Sequence, residues 1–169
     1  MIILGIDPAL RRTGYGVIDM QSADRAAIVD CGVIVNGQEL PHSECLRRVH
    51  GGVGELVKQF HPECVAIEEA FYGKNVKTSL ILSMARGAII AALAEMGVPV
   101  YVYSPRKAKQ AVVGCGSATK TQVAAMMAAR FTIDVATIPD DATDALALAL
   151  CHGQVAAVPG LSALLPRPI

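Results

Sequence analysis

The chain has 169 residues, 53% of them hydrophobic and 18% charged, with a formal net charge of zero. That length suits one domain able to bury about two-thirds of its unfolded surface, and the composition excludes a disordered or fibrous protein. Arg86 and Glu95 interrupt the longest apolar stretch, short of the roughly 18 residues of a membrane span, so no membrane partner is expected.

In chain order, Ile2 to Ile6 is an apolar run predicting a central strand with Asp7 at its end. Pro8 to Thr13 forms a turn, Gly14 to Ile18 a second strand and Ala26 to Val35 a third, with Cys31-Gly32 marking a bulge. Glu44 to Phe60 carries Leu46, Val49, Val53, Leu56 and Val57 at helical spacing and stops at His61-Pro62. Cys64 to Ile67 predicts a buried strand, Ser79 to Glu95 an apolar helix, and Val98 to Tyr103 a further strand. Helices follow over Ser104–Val113, Lys120–Phe131 and Asp141 to about Val155. This order predicts an α/β domain over 1–155, a mixed sheet with helices on both faces, and a Pro-rich tail over 156–169. The N-terminus enters a strand without a basic leader, and the five cysteines are odd in number with no CxxC pair. A reducing, cytoplasmic setting is expected.

Acids stand at three element ends: Asp7, the pair Glu68-Glu69, and Asp140-Asp141 with Asp144. Asp141 and Asp144 share a helix face. If the first and fourth strands are parallel neighbours, Asp7 and Glu68 converge, and the last helix needs only to cross that edge to complete the cluster. Carboxylates about 4 Å apart protonate unless a cation lies between them. An all-oxygen set favours Mg²⁺ or Mn²⁺, and two such ions suit phosphodiester hydrolysis. An Asp at a helix start also reads as a cap or dipole partner, which is the reading for Asp140, and spacing alone leaves Asp141 and Asp144 open to it. Glu69 reads as a surface neighbour, because successive strand residues point oppositely.

The neutral total hides a segregated charge. From Ala70 to Ile133 only Glu95 is acidic, against Lys74, Lys77, Arg86, Arg106, Lys107, Lys109, Lys120 and Arg130. A basic middle and acidic ends suit a protein that holds cations with one residue group and a polyanion with another. Phe71-Tyr72-Gly73-Lys74-Asn75 combines aromatics with bases, a composition that stacks on unpaired nucleotides; Phe71 also reads as a core residue. Ser117 is placed to cap the helix that starts near Lys120, and a helix N-terminus favours phosphate.

With these residues in view, the sequence resembles the RuvC family of Holliday junction resolvases, which have the RNase H-like fold. The resemblance runs from Met1 to about His152 and rests on Ile3-Leu4-Gly5-Ile6-Asp7-Pro8, Thr13-Gly14-Tyr15-Gly16-Val17, Ala66-Ile67-Glu68-Glu69-Ala70-Phe71, Lys74-Asn75, Ala85-Arg86-Gly87, Lys109 to Gly114, Gly116 to Lys120 and Asp141 to Ala147. It implies a five-stranded mixed sheet and Asp7, Glu68, Asp141 and Asp144 as the metal-binding acids, holding Mg²⁺ or Mn²⁺. It also implies a homodimer that nicks four-way junction DNA symmetrically, leaves 5′-phosphate and 3′-hydroxyl ends and works beside the RuvA–RuvB branch-migration machinery. Phe71 is implied as a wedge at the junction centre, Lys109 and Lys120 as contacts to the scissile region, and the Ser79–Glu95 helix as the dimer contact, its Ala88–Ala94 stretch allowing close packing. Ala9-Leu10 departs from the family's usual Gly-Ser, placing Leu10 near the acids. His152 lies two turns beyond Asp144 and reads as a surface residue, with a position near the metal site as the alternative. Two other readings stay open: a non-catalytic RNase H-like binding module, and a small nucleotide enzyme of the actin-like type.

Overall fold

Alternation of side chains across one sheet organises the molecule. The computed structural model describes residues 1–69, 75–131 and 137–169. The first apolar run forms β1 (Ile2–Asp7), followed by β2 (Arg12–Met20) and β3 (Ala26–Val35). α1 (His42–Phe60) leads to β4 (Cys64–Glu68), and α2 (Val76–Glu95) leads to β5 (Val100–Tyr103). Then come α3 (Pro105–Val113), α4 (Lys120–Phe131) and α5 (Asp140–Ala156), with a short 3-10 turn at Ser162–Leu164. The strands lie in the order β3-β2-β1-β4-β5. β1–β2 and β2–β3 are antiparallel; β1–β4 and β4–β5 are parallel. This is the mixed five-stranded sheet expected, with helices on both faces.

Leu4, Ile6, Val17, Val65 and Ile67 turn to one face and meet Val49, Val53, Ile89 and Leu93 of α1 and α2. Ile3, Ile18 and Ala66 turn to the other and meet α5, with α3 and α4 beyond it. Within α5 every residue from Ala142 to Gly153 except Asp144 is buried. It lies on a patch without side chains. A Cβ at Gly5 would stand 1.9 Å from the Ala145 carbonyl oxygen, one at Gly14 2.0 Å from that of Asp141, and one at Gly16 2.6 Å from Leu146 Cγ. The β1–β2 register pairs Gly5 with Gly16 and Asp7 with Gly14, so the bare patch ends beside the first acid.

Several boundaries move from expectation, each for a local reason. β2 starts at Arg12, because its register with β3 runs from Arg12–Val35 to Met20–Ala26. The bulge falls at Val29, between the Val17–Asp30 and Ile18–Ile28 pairs, not at Cys31-Gly32. Gly32 is there for the Tyr15 ring, which lies where a Cβ would sit. α2 starts at Val76, capped by the Asn75 side chain, which accepts from the Thr78 N–H. β5 starts after Pro99, which brings no N–H to the ladder. α1 starts at His42 and ends as expected: His61 adopts the left-handed φ of 47° and Pro62 cannot continue the helix. Leu10 points away from the acids and is buried with Cys45 and Ala85. The turn holding it is pinned by Asn36, which donates to the Leu10 carbonyl, and by Arg11, which donates to that of Leu40. α2 is long and apolar enough, by length and composition, to cross a membrane, which corrects the expectation that Arg86 and Glu95 exclude this. Its Ala85, Ile89, Ala92 and Leu93 are buried against the rest of the fold. The tail returns to the sheet, and the Ile169 N–H donates to the Val100 carbonyl on edge strand β5.

Substituting Gly5 with alanine is expected to destabilise the fold by about 3 kcal/mol, the upper end of overpacking costs. Gly51→Ala in α1, where nothing lies near a new Cβ, is expected to stabilise by about 0.5–1 kcal/mol. Urea midpoints of the two variants against the parent check both signs.

Candidate active site

Asp7 and Glu68 are the last residues of neighbouring parallel strands. The register that pairs Ile6 with Ile67 carries them side by side on the face that α5 covers. Because α5 starts at Asp140 and its backbone touches Gly14 at Asp141, the first turn of the helix crosses the ends of β1 and β2. Asp141 and Asp144 arrive there one turn apart. Asp7, Glu68 and Asp144 line one cleft of about 650 Å³ together with Lys109 and Lys120. On the other side, Asp7 and Glu68 border a second cleft of about 370 Å³ with Glu69, Ser83 and Arg86. The two strand-end acids thus form the wall between two openings.

Electrostatics record the convergence. Burial, then the charges of Glu68, Asp144 and Asp141, push the Asp7 carboxyl up to about 7, and Lys120 opposes the rise. Glu68 is raised by burial and by Asp144, with Lys120 and Lys109 opposing. Two of the acids already hold cations. Lys120 Nζ stands 2.7 Å from Asp144 Oδ2, and Arg12 Nε stands 3.0 Å from Asp141 Oδ2. No three acidic, histidine or cysteine side chains are grouped closely enough to hold a single ion among the described residues. The donor set still fits a hard divalent cation: only carboxylate oxygens, crowded enough that Asp7 resists ionisation without added positive charge.

The remaining site candidates divide. Lys109 and Lys120 both face the acid cleft. Ser117 is not the cap of α4; its hydroxyl lies 3.1 Å from Cys115 Sγ. Thr119 and Gln122 cap the helix reciprocally, through Thr119 N–H to Gln122 Oε1 at 2.8 Å and Gln122 N–H to Thr119 Oγ1 at 3.2 Å. That Thr-x-x-Gln signature was present in the sequence. Asn75 is occupied as the cap of α2. Phe71, Tyr72 and Lys74 lie outside the described residues. Asp140 opens α5 without a side-chain cap bond, and Pro139 holds the cap position, so Asp140 is not the cap; it lies in the first turn, where an acid favours the helix dipole, as the alternative reading had it. Glu69 is exposed, as expected of a surface neighbour, and borders the second cleft.

His152 is not a surface residue. It is 2% exposed, bonded to the Tyr103 hydroxyl at 2.9 Å and set against Tyr101. Burial lowers its pKa to about 4. It is absent from both clefts that the acids border. Two basic residues lie beside the acids in ways that sequence spacing does not place. Arg12 reaches Asp141 only because β2 begins with it. Arg86 turns inward from α2, and its Nε donates to the Glu68 carbonyl oxygen at 3.2 Å. The Ala88–Ala94 stretch contributes Ile89, Ala92 and Leu93 to the core, so the exposed apolar stripe of α2 lies earlier, at Val76, Leu80 and Met84.

Residues 3–152 match the family described as Crossover junction endodeoxyribonuclease RuvC. The proteins of that description from Geobacter sp. (strain M21) and Pelotomaculum thermopropionicum are 45% and 41% identical. The first alignment covers 98% of both chains; the second covers 91% of this chain and 93% of the relative. Among solved structures, T. thermophilus RuvC in complex with Holliday junction substrate superposes with a TM-score of 0.90 at 34% identity, covering 100% of this chain and 99% of that one. The yeast mitochondrial Holliday junction resolvase Ydc2, at TM-score 0.64 and 14% identity, covers 90% of this chain and 78% of its own and shares the fold.

The raised Asp7 carboxyl gives a sign to test. The folded protein binds a proton between pH 3.8 and about 7 that the unfolded chain has released. Stability of the metal-free protein therefore falls as pH rises through that window. At pH 8 without divalent ions, Asp7→Asn is expected to be more stable than the parent by on the order of 2 kcal/mol. The difference should shrink at pH 4, which thermal melts at the two pH values will show.

Proposed function

Because this chain belongs to the RuvC family of crossover junction endodeoxyribonucleases, we propose that it resolves four-way DNA junctions by hydrolysing phosphodiesters at the Asp7, Glu68, Asp141 and Asp144 cluster. The observation that carries this reading is the mutual approach of the four acids: each of the other three raises the Asp7 carboxyl, at the mouth of a cleft that also holds two lysines. A binding module has no use for such crowding, which costs folding stability. The four acids would hold Mg²⁺ or Mn²⁺, two ions per site, which would supply activation of water and neutralisation of charge on phosphate oxygens.

The chain's own residues do the rest. Asp7 and Glu68, fixed at strand ends, supply rigid oxygen donors, and α5 supplies Asp141 and Asp144 from its first two turns. Lys109 and Lys120 on the cleft wall draw in the DNA backbone at the scissile phosphate; water adds to that phosphorus, the P–O3′ bond breaks and O3′ takes a proton, leaving 5′-phosphate and 3′-hydroxyl ends. Phe71, Tyr72 and Lys74 follow Glu68 in sequence and supply stacking and charge to the unpaired nucleotides. Asn75 and Ser117 complete the DNA-facing set.

Paired nicks require two sites, and the exposed stripe of α2 suits the contact between them. Val76, Leu80 and Met84 are 70%, 60% and 49% exposed and recur every four residues along one face. A homodimer through α2 sets two acid clusters on a two-fold axis, matched to the symmetry of a junction, with the RuvA–RuvB machinery acting on the same DNA.

Incubated with a synthetic four-way junction and Mg²⁺ or Mn²⁺, the protein is expected to give symmetric paired nicks. Asp7→Asn should lose cutting by at least about a thousandfold, the scale of a lost catalytic group, while its junction affinity in gel-shift titrations stays close to the parent's. Equal loss of cutting and binding would count against these roles. The double variant Leu80→Lys with Met84→Lys is expected to sediment as a monomer at micromolar concentration where the parent sediments as a dimer.

A further inference from the structure

The acid cluster is not evenly compensated. Asp144 and Asp141 each hold a basic side chain, whereas Asp7 and Glu68 form no ion pair among the described residues. Both cations come from elements other than that of their acids: Lys120 is the first residue of α4, fixed by the Thr119–Gln122 cap, and Arg12 is the first residue of β2. Both are largely in water. The Lys120 and Arg12 side chains are 64% and 56% exposed, while their acid partners are 27% and 29% exposed. An anchored carboxylate facing an exposed, long-stemmed cation is a pair in which the cation leaves at small cost.

Charge and space lead the same way. With both pairs formed, Asp7 and Glu68, once ionised, carry two uncompensated charges, enough for one divalent ion. A second ion has to use carboxylates that Lys120 and Arg12 now occupy, and the described side chains enclose no ion as they stand. Lys120 also lines the cleft that Lys109 shares, so an ammonium released from Asp144 stays where DNA phosphate would lie.

We propose that Lys120 and Arg12 are exchangeable counter-cations, holding Asp144 and Asp141 until divalent ions displace them, so that metal loading frees Lys120 to bind a DNA phosphate. The inference rests on the metal-binding reading above. Exchange keeps the metal-free acids from driving the first turn of α5 off the sheet. It also links the two ligands: an ion that releases Lys120 favours DNA, and by reciprocity DNA that captures Lys120 favours the ion.

The test uses the full chain without DNA, titrated with MgCl₂ in a calorimeter at low salt. Lys120→Met removes the competitor and is expected to bind Mg²⁺ about fivefold tighter than the parent, the equivalent of an exposed ion pair. Lys109→Met is the control, because Lys109 acts on Glu68 through space and forms no ion pair among the described residues; its affinity is expected to stay within about twofold of the parent's. In parallel, the ¹⁵N ammonium resonance of Lys120, assigned by its loss in Lys120→Met, should shift with the same Mg²⁺ midpoint as the heat. Unchanged affinity in Lys120→Met, equal tightening in both variants, or weaker binding in Lys120→Met would each overturn the exchange while leaving metal binding intact. Absence of Mg²⁺ uptake by the parent and both variants would instead overturn the metal reading, and the exchange with it.

Discussion

The contact on which the rest of the structure depends is the seating of the α5 backbone against Gly5, Gly14 and Gly16. A methyl group at any of these positions would collide with helix atoms, so the absence of side chains on two adjacent strands sets how near the helix comes. That distance sets where the helix acids lie. Asp141 and Asp144 belong to the end of the helix that crosses the patch, and Asp7 belongs to the strand that carries part of it. Raising α5 by the height of a side chain would carry its acids away from Asp7 and Glu68 and dissolve the site while leaving the sheet intact.

The same closeness creates strain of an electrostatic kind. Asp7 sits where burial and three other acids oppose its ionisation, and the apolar clusters on both faces of the sheet hold it there. The fold answers the repulsion with positive groups at the rim: Lys120 on Asp144, Arg12 on Asp141, and Arg86 beneath Glu68 through a carbonyl oxygen. A site built this way is stabilised by positive charge, and under the proposed exchange the protein's own side chains and external ions would compete for the same oxygens. That competition connects the chemistry of the acids to the basic middle of the sequence.

The path from sequence to site was legible where short-range rules operate. An acid directly after an apolar run marks a strand end, so Asp7 and Glu68 were visible as partners once their strands were taken as parallel neighbours. The Asp141/Asp144 spacing fixed a shared helix face. Contacts set by register were not legible. Arg12 could be placed only once β2 was known to begin there, and Arg86 only once the buried face of α2 was known. His152 read as a surface residue because two turns from Asp144 says nothing about depth; Tyr101 and Tyr103 on the edge strand enclose it. Ser117 reads as a cap by residue type alone, whereas the Gln three residues after Thr119 favours Thr119, a matter of local chemistry and not of tertiary context.

Crystals of the protein soaked in Mn²⁺, measured at a wavelength where manganese scatters anomalously, would test the central claim most directly. The account predicts anomalous density among the carboxylates of Asp7, Glu68, Asp141 and Asp144, on the face covered by α5. Manganese bound only elsewhere, with the four acids left without an ion, would contradict it.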